Sequence, residues 1–342
     1  MAGNRRSKIQ APLRSYAVRT LSERLPHLAA SAIADRLSYG SFVSLEHKIL
    51  YVETPKAACT TIKHFLRTLC HAPPLQYPIG SLRETRRDMF IHVRANVPLP
   101  SLLDLDDDTQ RHVLAAPDFL RLAIVRNPYT RLTSAWRNKI MVCEPGYEYV
   151  YRKVMGDIPP LRQKKLLTFE QFLQFVEQET SLSTCNPHWR RQVDLLLYPA
   201  ISYSHIGKME RMSETAAVLQ EHVGTSVPVH FDSSNRTAGR GDPLDEQAAA
   251  RILALYRSDF ETFGYEERSW PRDSSSRNVT TPDSEARYLD EIVERNIVIS
   301  HLYEEYARLQ ADHRGWLHCT ATQARARLSQ IWHFLSCGKN HI

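Results

Sequence analysis

Ile49-Leu50-Tyr51-Val52-Glu53-Thr54-Pro55-Lys56-Ala57-Ala58-Cys59-Thr60-Thr61-Ile62 is the stretch that decides the fold. Its first four residues are β-branched, aromatic or otherwise apolar, as a buried strand requires. Ile62, Phe65, Leu66 and Leu69 then recur at i, i+3, i+4 and i+7, the stripe of a helix lying on a sheet. The residues between form a strand-to-helix turn, where the first free N–H groups of the helix and the positive end of its dipole face any anion above the sheet edge. Ala57 and Ala58 are small enough for a phosphate to approach the backbone. Thr60 and Thr61 add hydroxyls, Lys56 adds a mobile cation, and the whole reads as a phosphate cradle built without glycine.

A second stretch repeats the plan. Leu122-Ala123-Ile124-Val125 reads as a strand, Asn127 as an N-cap and Pro128 as a first helical residue. Arg126 ends the strand with a planar fork suited to bidentate phosphate contact, and Ser134, two turns into the helix, brings a hydroxyl toward that fork. Two such cradles on neighbouring parallel strands would hold two anionic groups of one ligand. The expected fold class is α/β, a P-loop-like central parallel sheet flanked by helices with helical terminal extensions.

At this point the motifs resemble a known family. Pro55-Lys56-Ala57-Ala58-Cys59-Thr60-Thr61-Ile62-Lys63 is similar to the 5′-phosphosulfate loop of the carbohydrate sulfotransferases related to the chondroitin and dermatan 4-O enzymes. Arg126-Asn127-Pro128-Tyr129 through Ser134-Ala135-Trp136-Arg137 is similar to their 3′-phosphate motif. Asn186-Pro187-His188-Trp189, His205-Ile206-Gly207-Lys208-Met209-Glu210, Asn235-Arg236-Thr237 and Phe263-Gly264-Tyr265 follow in family order, so that the resemblance runs over roughly residues 45 to 266. It implies 3′-phosphoadenosine 5′-phosphosulfate (PAPS) as sulfuryl donor, no metal, and a hydroxyl acceptor, most readily a carbohydrate. It implies donor contacts at Pro55, Lys56, Ala57, Ala58, Cys59, Thr60, Thr61, Arg126 and Ser134. Arg236 is a further candidate, against a turn with a solvated arginine.

In-line sulfuryl transfer needs stabilisation of the leaving phosphate and removal of the acceptor proton. Lys56 suits the first task. For the second, His92 lies between the cradles, His188 in the His-Trp motif is its rival, and an unassigned carboxylate is a third choice. Cys59 at a helix start invites a nucleophilic reading, but no histidine–acid partnership goes with it, so it reads as a small packed hydrophobe. Two other functions fit the same elements, a P-loop-like nucleotide kinase and a non-catalytic nucleotide-binding relative. The first is disfavoured because no G-x-x-x-x-G-K-[ST] run exists.

The composition agrees with an anion-handling enzyme. The chain has 342 residues and a formal net charge of +6, with no basic run interleaved with aromatics of the kind that nucleic acid requires. Six cysteines are scattered without a CxxC pair. This speaks against a zinc site or a disulfide framework. The resembling family often carries two cysteines flanking a proline after its His-Trp motif, and their absence at Leu197-Tyr198-Pro199-Ala200 suits a reducing compartment. No stretch has the length of a membrane span, and the start lacks a secretory apolar core. The expectation is a soluble, bacterial-type cytoplasmic protein.

Four segments are expected: a weakly helical lead-in over 1–40, the catalytic domain over 41–268, a linker over 269–281 and a helical extension over 282–342. The extension's apolar periodicity fits packing on the domain, a homodimer through these helices, or guidance of the acceptor. Within the domain, Thr168 opens a helix as a capping box. Ser213 caps another that ends near Gly224, and Asp242-Pro243 opens a third whose Ile252, Tyr256, Phe260 and Phe263 share one face.

Overall fold

A computed structural model describes residues 13–75, 91–156 apart from 93 and 145, 167–224 apart from 180 and 182, 229, 231, 244–270, and Ile292, Asn296 and Ile299. The 3′-side candidate Arg236, nearly all of the linker and most of the C-terminal extension lie outside these residues.

The sheet has four strands in the order β1 (Ser41–Ser44), β2 (Ile49–Val52), β3 (Leu120–Val125) and β4 (His205–Lys208). β2, β3 and β4 run parallel, as the sequence implies. β1 is antiparallel to β2, with Ser41 opposite Val52, so the sheet is mixed rather than wholly parallel. The reason is local: only a four-residue turn separates β1 from β2, which suffices for a hairpin but not for a crossover.

Every residue of β2 and β3 is buried, as a sheet covered on both faces demands. Their period-two alternation sorts them into two cores. Val43, Leu50, Val52, Ala123 and Val125 face α1 (Tyr16–Arg24) and α2 (Ala30–Gly40), through Val18, Leu21, Ile33 and Leu37. Phe42, Ile49, Tyr51, Leu122 and Ile124 face the other way, against Ile62, Phe65, Leu66 and Leu69 of α3 (Cys59–Leu69), the stripe read in the sequence.

α4 (Asp107–Ala115) leads into β3, and α5 (Pro128–Ala135) follows it. As expected, the Asn127 side chain caps α5 by accepting the Tyr129 N–H at 3.0 Å, with Pro128 at its first position. A π-helical turn, Trp136–Ile140, extends α5. A third core then gathers around the fully buried Trp189, from α5, α6 (Glu148–Met155), α7 (Phe169–Glu177) and α10 (Glu246–Phe263). The ring of Trp189 meets those of Phe172 and Phe175 edge-on at 5.5 and 6.0 Å.

Thr168 forms the expected capping box with Gln171. Two other helix starts differ from the sequence reading. α9 (Met212–Val223) begins one residue before Ser213, so that serine lies inside the first turn and caps nothing. α10 begins at Glu246 under the side chain of Asp245, which accepts the Ala248 N–H at 2.8 Å; Asp242 and Pro243 lie outside the described residues. In both cases a neighbouring polar residue competes for the helix start, and spacing alone does not rank the two. Gly207 on β4 is required by close approach, since a Cβ there would stand 2.1 Å from Thr215 Oγ1 of α9.

Candidate active site

Both cradles open at the carboxyl ends of adjacent parallel strands, where open α/β sheets place their ligands. Val52 pairs with Ala123, two residues before Val125, so the turns that follow β2 and β3 lie side by side. The link between them is direct: Arg126 Nη1 donates to the Lys56 carbonyl at 3.2 Å.

The first turn takes a conformation that glycine would adopt freely. Lys56 and Ala58 both have positive φ, 70° and 53°. Non-glycine residues rarely occupy this region, and such strain collects at binding and catalytic loops. Ala58 is the N-cap of α3 and has no side chain with which to cap it. A methyl group thus stands where a serine or aspartate would satisfy the first helical N–H groups, a start of the kind that can accept an external anion. Ala57 is fully buried beneath the turn, and Lys56, Thr60 and Thr61 are half-buried around it. Burial, with the nearby Glu53 carboxylate, raises the Cys59 thiol, which agrees with packing rather than nucleophilic use.

The second turn is held by groups far away in sequence. Gln192, fully buried, grips both main-chain groups of Arg126: its Oε1 accepts the N–H at 2.9 Å and its Nε2 donates to the carbonyl at 2.9 Å. Arg126 Nε donates to Thr130 Oγ1 at 3.0 Å, which orients the guanidinium along α5. Ser134 is buried in the second turn of α5.

Gln192 opens α8 (Gln192–Leu195), whose start is capped by the buried carboxylate of Asp259. Asp259 accepts the Gln192 N–H at 2.8 Å and the Val193 N–H at 3.0 Å. Burial still prevails and lifts its pKa to about 6. A carboxyl raised in the fold binds its proton more tightly there than in the unfolded chain. Its contribution to stability is therefore greatest below the ordinary value of 3.8 and falls away as pH rises through 6, a loss of about 3 kcal/mol. The stability difference between the native chain and Asp259→Asn, followed by urea unfolding, is expected to shift by that amount against the native chain between pH 4 and pH 7. A difference that does not vary with pH would refute this.

Arg131, also on α5 and fully buried, donates to three carbonyls: Pro55 from Nε at 3.1 Å, Arg190 from Nη1 at 2.8 Å and Pro187 from Nη2 at 2.8 Å. One planar cation thus fastens the first cradle to the loop that carries His188. The sequence offered no sign of it, because a guanidinium satisfied by main-chain oxygens needs no particular partner residues.

The two candidate bases both lie within reach of the Lys56 charge. His92 Nε2 is 3.2 Å from Thr60 Oγ1, and its Nδ1 is 3.4 Å from Lys63 Nζ. Loss of solvent around the ring, with the Lys63 ammonium, pulls its pKa down to about 3. The His92 side chain is nonetheless open to solvent, so the charge of Lys63 is the firmer of the two causes. Behind it, Lys63 and Glu53 form a buried ion pair at 2.6 Å, each less than 5% exposed. Burial disfavours both charges, yet the pair outweighs it: Glu53 is held low by Lys63 and Arg36, and Lys63 is held high by Glu53.

His188 is half-buried. Its Nδ1 lies 2.9 Å from Tyr147 Oη and 2.9 Å from Asn186 Oδ1. Burial, followed by the charges of Lys139 and Lys56, sets its pKa well below the ordinary histidine value. Lys139 stands on the π-helical turn, paired with the buried Glu144 and 5.4 Å from the Tyr147 ring centre. A π turn re-aims side chains at functional sites, and here it supplies a cation that the sequence reading missed. Among the described residues, no group of three or more His, Cys, Asp and Glu is placed to hold a metal ion.

Fold and site together define an α/β protein in which two strand-to-helix turns open side by side at the ends of adjacent parallel strands. The chain belongs to the sulfotransferase family, whose sequence profile matches residues 39–266. It is 28% identical over 244 residues to carbohydrate sulfotransferase 14 of Danio rerio, covering 65% of this chain and 61% of that one. It is 28% identical over 255 residues to carbohydrate sulfotransferase 12 of Mus musculus, covering 64% and 58%. It is 26% identical over 275 residues to carbohydrate sulfotransferase 10 of Gallus gallus, covering 74% and 73%. The chain thus spans about three-fifths of the length of the first two relatives. No solved structure matches it.

Proposed function

We propose that the chain transfers a sulfuryl group from PAPS to a hydroxyl of a carbohydrate by in-line displacement. The observation that carries this reading is the pair of adjoining turns, with the uncapped start of α3 in one and the Arg126 guanidinium in the other, joined through the Lys56 carbonyl. Anions at the two ends of one ribose match two such sites. Pro55 to Thr61 would hold the 5′-phosphosulfate, and Arg126 and Ser134, with Arg236, the 3′-phosphate. The donor supplies an electrophilic sulfur and a phosphate leaving group. Lys56 bears the charge that grows on the bridging oxygen, while Thr60 and the α3 N–H groups orient the sulfuryl oxygens.

For a carbohydrate acceptor, the support is the shared naming of the relatives. Residues 41–268 form the catalytic domain in this reading, close to the span of the family match. Among the described residues no helix is long and apolar enough to cross a membrane. Cys59, Cys70, Cys143 and Cys185 carry free thiols, in keeping with a reducing, cytoplasmic site of action. For the C-terminal extension we favour packing on its own domain over homodimerisation. Its described residues Ile292, Asn296 and Ile299 are buried at helical spacing, and Asn296 Nδ2 donates to the Val142 and Cys143 carbonyls at 3.0 and 2.8 Å.

Calorimetry without added metal tests the reading. Adenosine 3′,5′-bisphosphate is expected to bind and ATP to bind far more weakly. Arg126→Ala is expected to weaken the bisphosphate about 10–100-fold, the loss of a charge-assisted contact of about 1.5–3 kcal/mol. Equal affinity for the two nucleotides would overturn the proposal. Transfer of labelled sulfate from PAPS to an oligosaccharide panel that includes desulfated chondroitin then reports the activity.

A further inference from the structure

This inference rests on the sulfuryl-transfer reading and deepens it, by deciding which histidine takes the proton. The main-chain N–H of His188 points at Asn186 Oδ1 at 3.0 Å. An N–H can only donate, so this atom of the amide is its oxygen, and the Nδ2 on the other side reaches Tyr149 Oη at 3.3 Å. The same Oδ1 lies 2.9 Å from His188 Nδ1. Two lone pairs do not meet at that distance, so Nδ1 carries the proton. Tyr147 Oη, 2.9 Å away, shares that N–H as a second acceptor. Nε2 of His188 is left with a bare lone pair.

His92 has the opposite tautomer. Lys63, kept charged by Glu53 at 2.6 Å, offers only N–H donors and lies 3.4 Å from His92 Nδ1. Nδ1 is therefore the acceptor, the ring proton sits on Nε2, and Nε2 donates to Thr60 Oγ1 at 3.2 Å. A second positive charge on this ring, beside that ammonium, is strongly disfavoured.

We propose that His188 is the catalytic base, receiving the acceptor hydroxyl's proton on Nε2, with Asn186 as the positioning residue that fixes its tautomer and His92 as a neutral N–H donor in the sulfuryl site. As the acceptor oxygen's electron pair forms its bond to sulfur, its proton passes to His188 Nε2. The bond from sulfur to the bridging oxygen breaks, and that pair leaves on the 5′-phosphate beside Lys56. The products are a sulfate ester, adenosine 3′,5′-bisphosphate and an imidazolium shared between Asn186 and the reacting edge. Burial, together with the charges of Lys139, Lys56 and Arg131, keeps the free ring neutral. An anionic donor bound among them offsets those charges and strengthens the base when it is needed.

Long-range proton–nitrogen correlation spectra of the full chain labelled at histidine, assigned with His188→Gln and His92→Gln, read the tautomers directly. The expected result is a protonated Nδ1 on His188 and a protonated Nε2 on His92; a protonated Nε2 on His188 overturns the assignment. With PAPS and desulfated chondroitin or another active member of the panel, His188→Gln is expected to lose about 10²–10⁴-fold in turnover while keeping its affinity for the bisphosphate. Asn186→Asp preserves the acceptor and places a negative charge behind the ring. It is expected to retain turnover and to move the acid limb of the pH–rate profile to higher pH, whereas Asn186→Leu loses turnover. Full turnover in His188→Gln, or an unmoved limb in Asn186→Asp, overturns this inference alone. A native chain that does not bind the bisphosphate takes the sulfuryl-transfer reading down with it.

Discussion

Lys56→Met is expected to lower turnover by about 10²–10³-fold, with a much smaller change in the affinity for adenosine 3′,5′-bisphosphate. Lys56 is half-buried, and its ammonium acts on both His92 and His188, which places its charge near the two candidate bases. Its positive φ and its carbonyl contact with Arg126 are main-chain features, and they survive the loss of the amine. The bisphosphate keeps the former bridging oxygen as one of three equivalent oxygens on a phosphate that the α3 N–H groups also hold, so binding should fall much less than turnover, where charge grows on that one oxygen. A variant with native turnover, or one that loses the bisphosphate altogether, would contradict a role in leaving-group departure.

The second large effect is on stability. Lys63→Met leaves Glu53 buried with only Arg36 to answer it, and is expected to cost about 3–5 kcal/mol at neutral pH. The sign with pH follows from the pair. In the native chain the Glu53 pKa is depressed, so its contribution is present above the ordinary value of 4.5 and is lost as pH falls through the folded value. In Lys63→Met burial dominates and the pKa rises. The penalty should then shrink on acidification, as Glu53 takes up a proton. The double variant Glu53→Leu/Lys63→Met, of similar volume and without charge, is expected to recover most of the stability but not the native His92 tautomer. Chemical denaturation at pH 5 and pH 7.5 checks both. A single variant as stable as the native chain would mean that the pair is not buried as described.

The central fold was legible because β2 and residues 122–125 of β3 are apolar and each strand runs straight into a helix, the first marked by its periodic stripe. The cap at Asn127 and the proline at 128 marked α5 to the residue. β1 was hidden because Ser41 and Ser44 flank only two apolar residues, Phe42 and Val43, and the strand exists by virtue of pairing with β2. The supporting groups were hidden for a different reason. Arg131, Gln192 and Asp259 act over 56 to 76 positions along the chain, and mainly on backbone atoms, which every residue type presents alike. Lys63 was visible as part of a motif, but nothing set its partner Glu53 apart from the rest of the turn until the fold buried both.

The Arg131 fastening bears on how acceptor choice could be altered. Because a single guanidinium ties the donor turn to the segment around His188, grafting that segment from a relative would transmit any change in its backbone path to Lys56. A successful graft must offer carbonyl oxygens at positions 187 and 190 in the same places. In the sulfuryl-transfer reading, diversity among acceptors is then more easily built away from this fastening than beside it.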